Sequence, residues 1–334
     1  MTSHQIETTL SLIEQSINIL ILSHRNPDGD AIGSSLALSH FLNTLNKKNQ
    51  VVLPNAIPEN MKWMPNWEEI LIYETEKDKK NVLEAIKNAN LIFNLDFNAL
   101  HRLGILENEL KNTETPMIMI DHHESPDDYA KVAFSNTKYG STCEMIYDFI
   151  TYLGFKNNIN KTIATCIYTG ITTDSGSFKF PKTTSKTHQI VAHLIELGID
   201  NPQIHNNLFD NNSFNSLQLM GYYLTHLKLI KDKKTSYSYL SAKELQKYNS
   251  KKGDTEGFVN IGLSIKEIDF TAYFAENHDD NLIKISFRSK GNFDVNEFAK
   301  KHFEGGGHKN AAGGKSLLSL EDTLMKFEEI VSGL

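Results

Sequence analysis

Four short apolar runs, INILIL at 17–22, VVL at 51–53, LIFNL at 91–95 and MIMI at 117–120, punctuate the first 120 residues. Around them, residues 31–45, 78–89 and 141–153 carry apolar side chains at helical spacing. Short apolar runs alternating with longer amphipathic stretches are the pattern of a parallel sheet wrapped by helices. The carboxylates then fall at one place, because Asp28 and Asp30 follow the first run, Asp96 ends the third and Asp121 follows the fourth. Open α/β sheets bind ligands at that carboxyl edge, so separated pieces of sequence converge on one crevice.

The pattern changes along the chain. From about 185 to 228 it is wholly helical; residues 235–240, 268–275 and 282–288 then alternate like strands, and 294–303 reads as a helix opened by Asp-x-x-Glu. With 334 residues and 40% hydrophobic content, the chain suits two ordinary domains. The expected organisation is a doubly wound, mainly parallel α/β domain over residues 1–190, a helical connector over 191–215, and a smaller α+β domain over 216–334.

A net charge of −7 and a pI near 6.0 argue against a protein that coats long nucleic acid through a broad basic surface, so an anionic substrate needs a local positive site. Cys143 and Cys166 form no C-x-x-C pair, which argues against a disulfide framework or a thiolate zinc site and for two reduced, buried thiols. The N-terminus lacks a basic region followed by an apolar one, and no apolar run reaches the length that spans a bilayer. The expectation is a soluble, cytoplasmic protein without a membrane partner, with a homodimer as the default assembly.

Four segments carry chemistry: His24-Arg-Asn-Pro-Asp28-Gly-Asp30, Asp96 in NLDFNALHRLG, Asp121-His122-His123, and Asp174 in GITTDSGSF. They offer imidazole and carboxylate donors without thiolates, which suits Mn²⁺, or Mg²⁺ or Fe²⁺ with less preference, over structural zinc. Paired cations sharing a carboxylate and a water are the natural use of such a set in phosphoester hydrolysis. Each Asp also has a plainer reading as a helix N-cap. A calcium loop is excluded, since the position needing a bidentate Glu is Ala37 or Ser39. The glycines of GGGHKNAAGGKS fit neither G-x-G-x-x-G nor a P-loop, because Asn310 and Lys309 stand where glycines are required. What remains is a loop whose backbone N–H groups can approach an anion, with His308 as a further donor. Arg288, ending LIKISFR, offers a bidentate grip on phosphate.

Together, H-x-N-P-D-x-D, a strand-terminal Asp, D-H-H and T-D-S-G resemble the DHH phosphoesterase superfamily, and the segment from Gly305 to Gly313 resembles the phosphate-binding loop of its DHH-associated C-terminal domain. The resemblance implies two divalent cations, Mn²⁺ foremost and Mg²⁺ next. His24, Asp28 and Asp96 would hold one, and Asp30, Asp96, His122 and Asp174 the other, with Asp96 bridging. It implies further that His123 faces the substrate phosphate, that Asp121 orients the histidines, and that Arg288, Gly305, Gly306, Gly307 and His308 bind substrate. Within the superfamily the chain is most similar to oligoribonucleases that also act on 3′-phosphoadenosine-5′-phosphate (pAp), so the implied substrates are short RNA and mono- or dinucleotides. A cyclic-di-AMP or linear dinucleotide phosphodiesterase, a manganese pyrophosphatase and a non-catalytic nucleotide-binding regulator are the alternatives. Tolerance of Ser175 where the family often has Thr follows from the shared hydroxyl.

Overall fold

A computed structural model describes residues 1–251, 253–277 and 282–334, with Asn277 and His308 described by backbone alone. The chain divides into two compact units, Met1–Asn211 and Asn212–Leu334.

In the first unit six strands, β1 (Asn18–Ser23), β2 (Lys48–Leu53), β3 (Leu71–Ile72), β4 (Leu91–Leu95), β5 (Met117–Asp121) and β6 (Val132–Ser135), form one sheet in the order 3-2-1-4-5-6. Every pairing is parallel. Both faces are covered, which is why β1, β4 and β5 read as predominantly apolar runs. Ile19, Ile21, Phe93, Leu95, Ile118 and Ile120 face helices Gly29–Thr44, Thr142–Tyr152 and Lys161–Asp174 through Phe41, Phe149 and Ile167. Leu20, Leu22, Ile92 and Met117 face Val82 and Ile86 of helix Glu76–Asn88 and Leu103 beyond β4. Burying each such large side chain stabilises the fold by about 1.5–3 kcal/mol. The two strands not anticipated, β3 and β6, are short edge strands of two and four residues, below the length at which periodicity speaks.

The strand order reverses between β1 and β4, the neighbours at the centre of the sheet. The turn after β1 carries His24, Asp28 and Asp30, and Asp96 follows β4, so the residues of interest sit at the topological switch point. Helices Ser185–Glu196 and Asn201–Phe209 complete the unit.

The second unit opens with helix Phe214–Thr225 and holds a sheet in the order β11-β12-β10-β9-β8-β7, with β7 (Lys228–Ile230), β8 (Thr235–Leu240), β9 (Phe270–Asn277), β10 (Leu282–Ser289), β11 (Gly306–His308) and β12 (Ala311–Ser316). Only β8 and β9 are parallel among these neighbours. Phe270, Phe274 and Phe287 pack with Phe298, Phe303 and Phe327 on one face, while Tyr273 joins Tyr223 and Phe258 on the other. Phe270, Tyr273, Phe274 and Phe287 are therefore core side chains. Helix Val295–His302 starts at Asp294, whose carboxylate accepts the Asn296 and Glu297 N–H groups at 3.0 Å. No described helix is long and apolar enough to cross a membrane.

Candidate metal centre

The turn after β1 is built by Asn26, Pro27 and Asp28. Asn26 takes a left-handed φ of 56°, which Asn tolerates better than most residues. Its N–H donates to Asn55 Oδ1 at 2.6 Å, and the Asn55 amide returns a bond to Asn26 Oδ1 at 3.2 Å. Asp28 is the N-cap of helix Gly29–Thr44, its Oδ1 accepting the Asp30 and Ala31 N–H groups at 3.0 Å. Capping occupies one oxygen and leaves Oδ2 for another use, so the plain reading and the ligand reading coexist.

Asp96 is the hub. It is buried, and it holds a left-handed φ of 66° immediately after β4, a conformation that turns its carboxylate into the cluster. Its Oδ2 lies 3.3 Å from His24 Nε2, and its Oδ1 lies 3.5 Å from His122 Nε2 and 2.9 Å from the donating Thr142 Oγ1. The donor atoms fall into two groups that each lie within 4.8 Å: His24, Asp28 and Asp96, and Asp30, His122 and Asp174. Within the second, His122 Nε2 is 3.3 Å from Asp174 Oδ2 and 3.9 Å from Asp30 Oδ2. Asp28 and Asp30, two residues apart, thus enter different groups.

Asp96, His122 and His123 also cluster within 4.8 Å. His123 reaches toward Asp96 through Nδ1 at 3.9 Å, yet that same nitrogen donates to Asp121 Oδ1 at 2.6 Å. Asp121 is fully buried and accepts the His123 backbone N–H as well, at 3.1 Å. The shorter bond decides the geometry: Asp121 anchors the His123 ring. The ring nitrogens of the other two histidines divide similarly, with His24 Nδ1–H donating to the Arg25 carbonyl at 2.9 Å and His122 Nδ1–H to that of Tyr139 at 3.4 Å. Each arrangement leaves Nε2 facing the carboxylates, because a backbone acceptor at Nδ1 sets the tautomer.

Crowding controls the charges. Burial acts to lower the His24 and His122 pKa values, but the Asp96 hydrogen bond and charge prevail, pushing them up to about 9 and about 10. Burial, with Asp96 and Asp28 nearby, lifts Asp174 to about 7. Asp30 is pushed well above the carboxylate range by burial and by the charges of Asp96 and Asp174. Asp96 goes the other way: burial acts to raise it, but hydrogen bonds from His122 and His24 hold it well below. Four carboxylates face two imidazoles here, a surplus of negative charge that favours cation binding.

Two supports were not anticipated from sequence. Thr142 and Cys143, at the start of helix Thr142–Tyr152, donate their backbone N–H groups to Asp30 at 2.6 and 2.8 Å, an anion at a helix N-terminus. The signal was the Ser141-x-x-Glu144 pattern, and Ser141 does cap that helix by accepting the Glu144 N–H at 3.0 Å. Gly170 is the other. A Cβ there would overlap Cys143 Sγ and stand 2.8 Å from Asp30 Oδ1, so only glycine lets helix Lys161–Asp174 approach closely enough to bring Asp174 to the cluster. Cys143 and Cys166 are free and buried, as expected, and burial pushes both thiols up.

In the second unit Arg288 and His308 both pair in register with Ala311, on β10 and β11 flanking β12. Burial lowers Arg288 from its ordinary value and Glu256 opposes that. The glycine segment is a hairpin edge rather than an open loop. Gly307 adopts φ 153° and donates its N–H to Asn296 Oδ1 at 2.9 Å, and a Cβ on Gly307 would stand 2.6 Å from the Ala311 carbonyl. The side chain of His308 lies outside the described residues.

Residues 18–171 match the DHH family, N-terminal domain, and residues 232–333 match the DHHA1 domain. The fold superposes on the crystal structure of an exopolyphosphatase-related protein from Bacteroides fragilis with a TM-score of 0.96 at 38% identity, covering 99% of this chain and 96% of that one. A protein of Streptococcus mutans named probable bifunctional oligoribonuclease and PAP phosphatase NrnA is 27% identical over 97% of this chain and 98% of its own length. Cyclic-di-AMP phosphodiesterase GdpP of Bacillus subtilis is 24% identical over 96% of this chain, which corresponds to 48% of that protein.

Proposed function

Since the chain belongs to the DHH family, we propose that it is a metal-dependent hydrolase that cleaves very short oligoribonucleotides and pAp to nucleoside monophosphates. The observation that supports this most is Asp96, whose two oxygens face His24 on one side and His122 on the other. The relatives named for oligoribonuclease and PAP phosphatase activity, similar along almost the whole chain, set the substrate class.

The donor set fits two divalent cations: hard oxygens and imidazole nitrogens, no thiolate, and an excess of carboxylates. His24, Asp28 and Asp96 would hold one, and Asp30, Asp96, His122 and Asp174 the other, with Mn²⁺ preferred and Mg²⁺ next. When bound, such cations supply Lewis acidity, lowering the pKa of water and neutralising charge on phosphoryl oxygens. The chain's own residues do the rest. Asp121 holds the His123 ring so that it donates to the phosphate as charge develops there, and Thr142, Cys143 and Thr142 Oγ1 keep Asp30 and Asp96 in place. Arg288, Gly305, Gly306, Gly307 and His308 are the substrate-binding residues of the second unit in this reading. The proposal includes cytoplasmic residence and a homodimer as the working assembly.

The test is a side-by-side assay with Mn²⁺ on pAp, a dinucleotide, a five-nucleotide RNA, cyclic-di-AMP and pyrophosphate. Turnover of pAp and the dinucleotide ahead of the rest is expected. Preference for cyclic-di-AMP would favour the second reading, which the likeness to GdpP motivates.

A further inference from the structure

The chain has three arginines among its 34 basic residues, Arg25, Arg102 and Arg288, and two of them are joined through their backbones beside the metal centre. Arg25 directly follows His24, and its N–H donates to the Arg102 carbonyl at 2.8 Å. Its own carbonyl accepts His24 Nδ1–H at 2.9 Å, so the backbone that sets the histidine also sets the arginine. The next residue is locked by the Asn26–Asn55 pair. Gly104 shapes the other side: with φ 60° and ψ −130° it takes a conformation suited to glycine, and a Cβ there would stand 3.1 Å from Arg25 Cδ. The stem of Arg25 thus lies across Gly104, in a built position.

Both side chains are exposed. Although the chain has 41 acidic residues, neither guanidinium makes an ion pair with a carboxylate among the described residues. An exposed guanidinium without a carboxylate partner can take an anionic ligand. Guanidinium groups match phosphate oxygens bidentately.

We propose that Arg25 and Arg102 form a phosphate subsite beside the metal centre, taking a phosphate of the substrate other than the one being hydrolysed. The inference rests on the phosphoesterase reading above and narrows it, because it selects substrates that carry at least two phosphates. Free inorganic phosphate has the same chemistry and is separated by the test.

The experiment uses the full chain with Mn²⁺ and compares wild type with the double variant R25Q/R102Q, after matching their circular dichroism and metal content. kcat/KM is measured for pAp, for a 5′-phosphorylated dinucleotide and for bis(p-nitrophenyl) phosphate, which has one phosphate. Loss of charge-assisted hydrogen bonds predicts a fall of about 10–100-fold for the first two beyond any fall for the third. R25K/R102K should recover part of it, since lysine keeps charge without the fork. An equal fall on all three substrates, or none, overturns the subsite. Equilibrium binding of pAp, AMP and inorganic phosphate to chelator-treated protein gives an arm independent of turnover. Weaker pAp binding in the variant supports the subsite even if wild type hydrolyses no nucleotide, the outcome that would sink the functional reading instead. Inorganic phosphate lost from the variant while pAp affinity is unchanged overturns it.

Discussion

Nε2 of His24 lies 3.3 Å from Oδ2 of Asp96, a contact that joins the turns after the two central strands of the first sheet. The opposite oxygen of the same carboxylate faces His122, a member of the other donor group, so Asp96 stands between the two. Asp96→Asn is the sharpest test of that role. Asn accepts the left-handed φ of 66° about as readily as Asp, so the backbone and fold should persist. The amide has one oxygen and no charge, and hydrolysis should fall by at least about a hundredfold with reduced metal content. Activity and bound metal are read together with the thermal midpoint; a variant that keeps a tenth of the activity would remove Asp96 from the bridging position.

Metal binding should be coupled to pH through the same pair of histidines. In the metal-free chain His24 and His122 titrate at about 9 and about 10, above the ordinary 6.5, because Asp96 favours their charged forms. Ligation needs neutral imidazole, so cations must displace those protons. Calorimetry at pH 7.5 in buffers of different ionisation enthalpy should show proton release on Mn²⁺ binding, and affinity should rise with pH toward 9. The stability of the chelated protein should move oppositely. The folded state binds the protons more tightly than the unfolded state, so this contribution is complete below 6.5 and is lost as pH climbs through 9 and 10. A thermal midpoint in chelator that rises across that window would contradict the assignment.

The strands and cluster members differ in how far sequence exposes them. β1, β4 and β5 announce themselves because burial on both faces makes most positions apolar, and the ligand candidates stand directly after them. β3 and β6 stay silent, being too short for a period. The αL conformation of Asp96 is invisible in sequence because it follows from tertiary packing and not from local propensity. The N–H groups of Thr142 and Cys143 are likewise backbone donors that any residue could supply, and only the end-on approach of their helix makes them part of the site. The glycines at 305–307 signal a close backbone approach, but not that Gly307 would donate its N–H to Asn296 within a hairpin.

Gly170 tests the packing that delivers Asp174. An added methyl has no space, with Cys143 Cβ at 2.9 Å and Asp30 Oδ1 at 2.8 Å from the position it would take. Gly170→Ala should therefore destabilise the chain by about 1–3 kcal/mol, despite the better helix propensity of alanine. Helix Lys161–Asp174 must shift away from Cys143 of helix Thr142–Tyr152 and from Asp30 of helix Gly29–Thr44, so the second donor group should suffer most. The expected result is a lowered thermal midpoint with weaker Mn²⁺ binding; a variant as stable as wild type would show that these helices pack less tightly than this geometry requires.

Asp121 and His123 separate chemistry from metal binding. Asp121 accepts two N–H groups from one residue, the ring at 2.6 Å and the backbone at 3.1 Å, using one oxygen for each. Asp121→Asn offers a single oxygen, so one N–H loses its acceptor and the ring is no longer held beside a negative charge. Neither oxygen of Asp121 belongs to the two donor groups proposed for the cations, so metal content should stay at the wild-type level. kcat should fall by about 10–100-fold, the usual cost of losing a carboxylate that orients a functional histidine. KM for pAp should change little, because the lost interaction matters as charge develops on the phosphate and not in the first encounter. The assay pairs steady-state kinetics with metal analysis on the purified variant. Metal loss in parallel with activity would move Asp121 into the support of the metal ligands and leave His123 without its proposed part in the reaction.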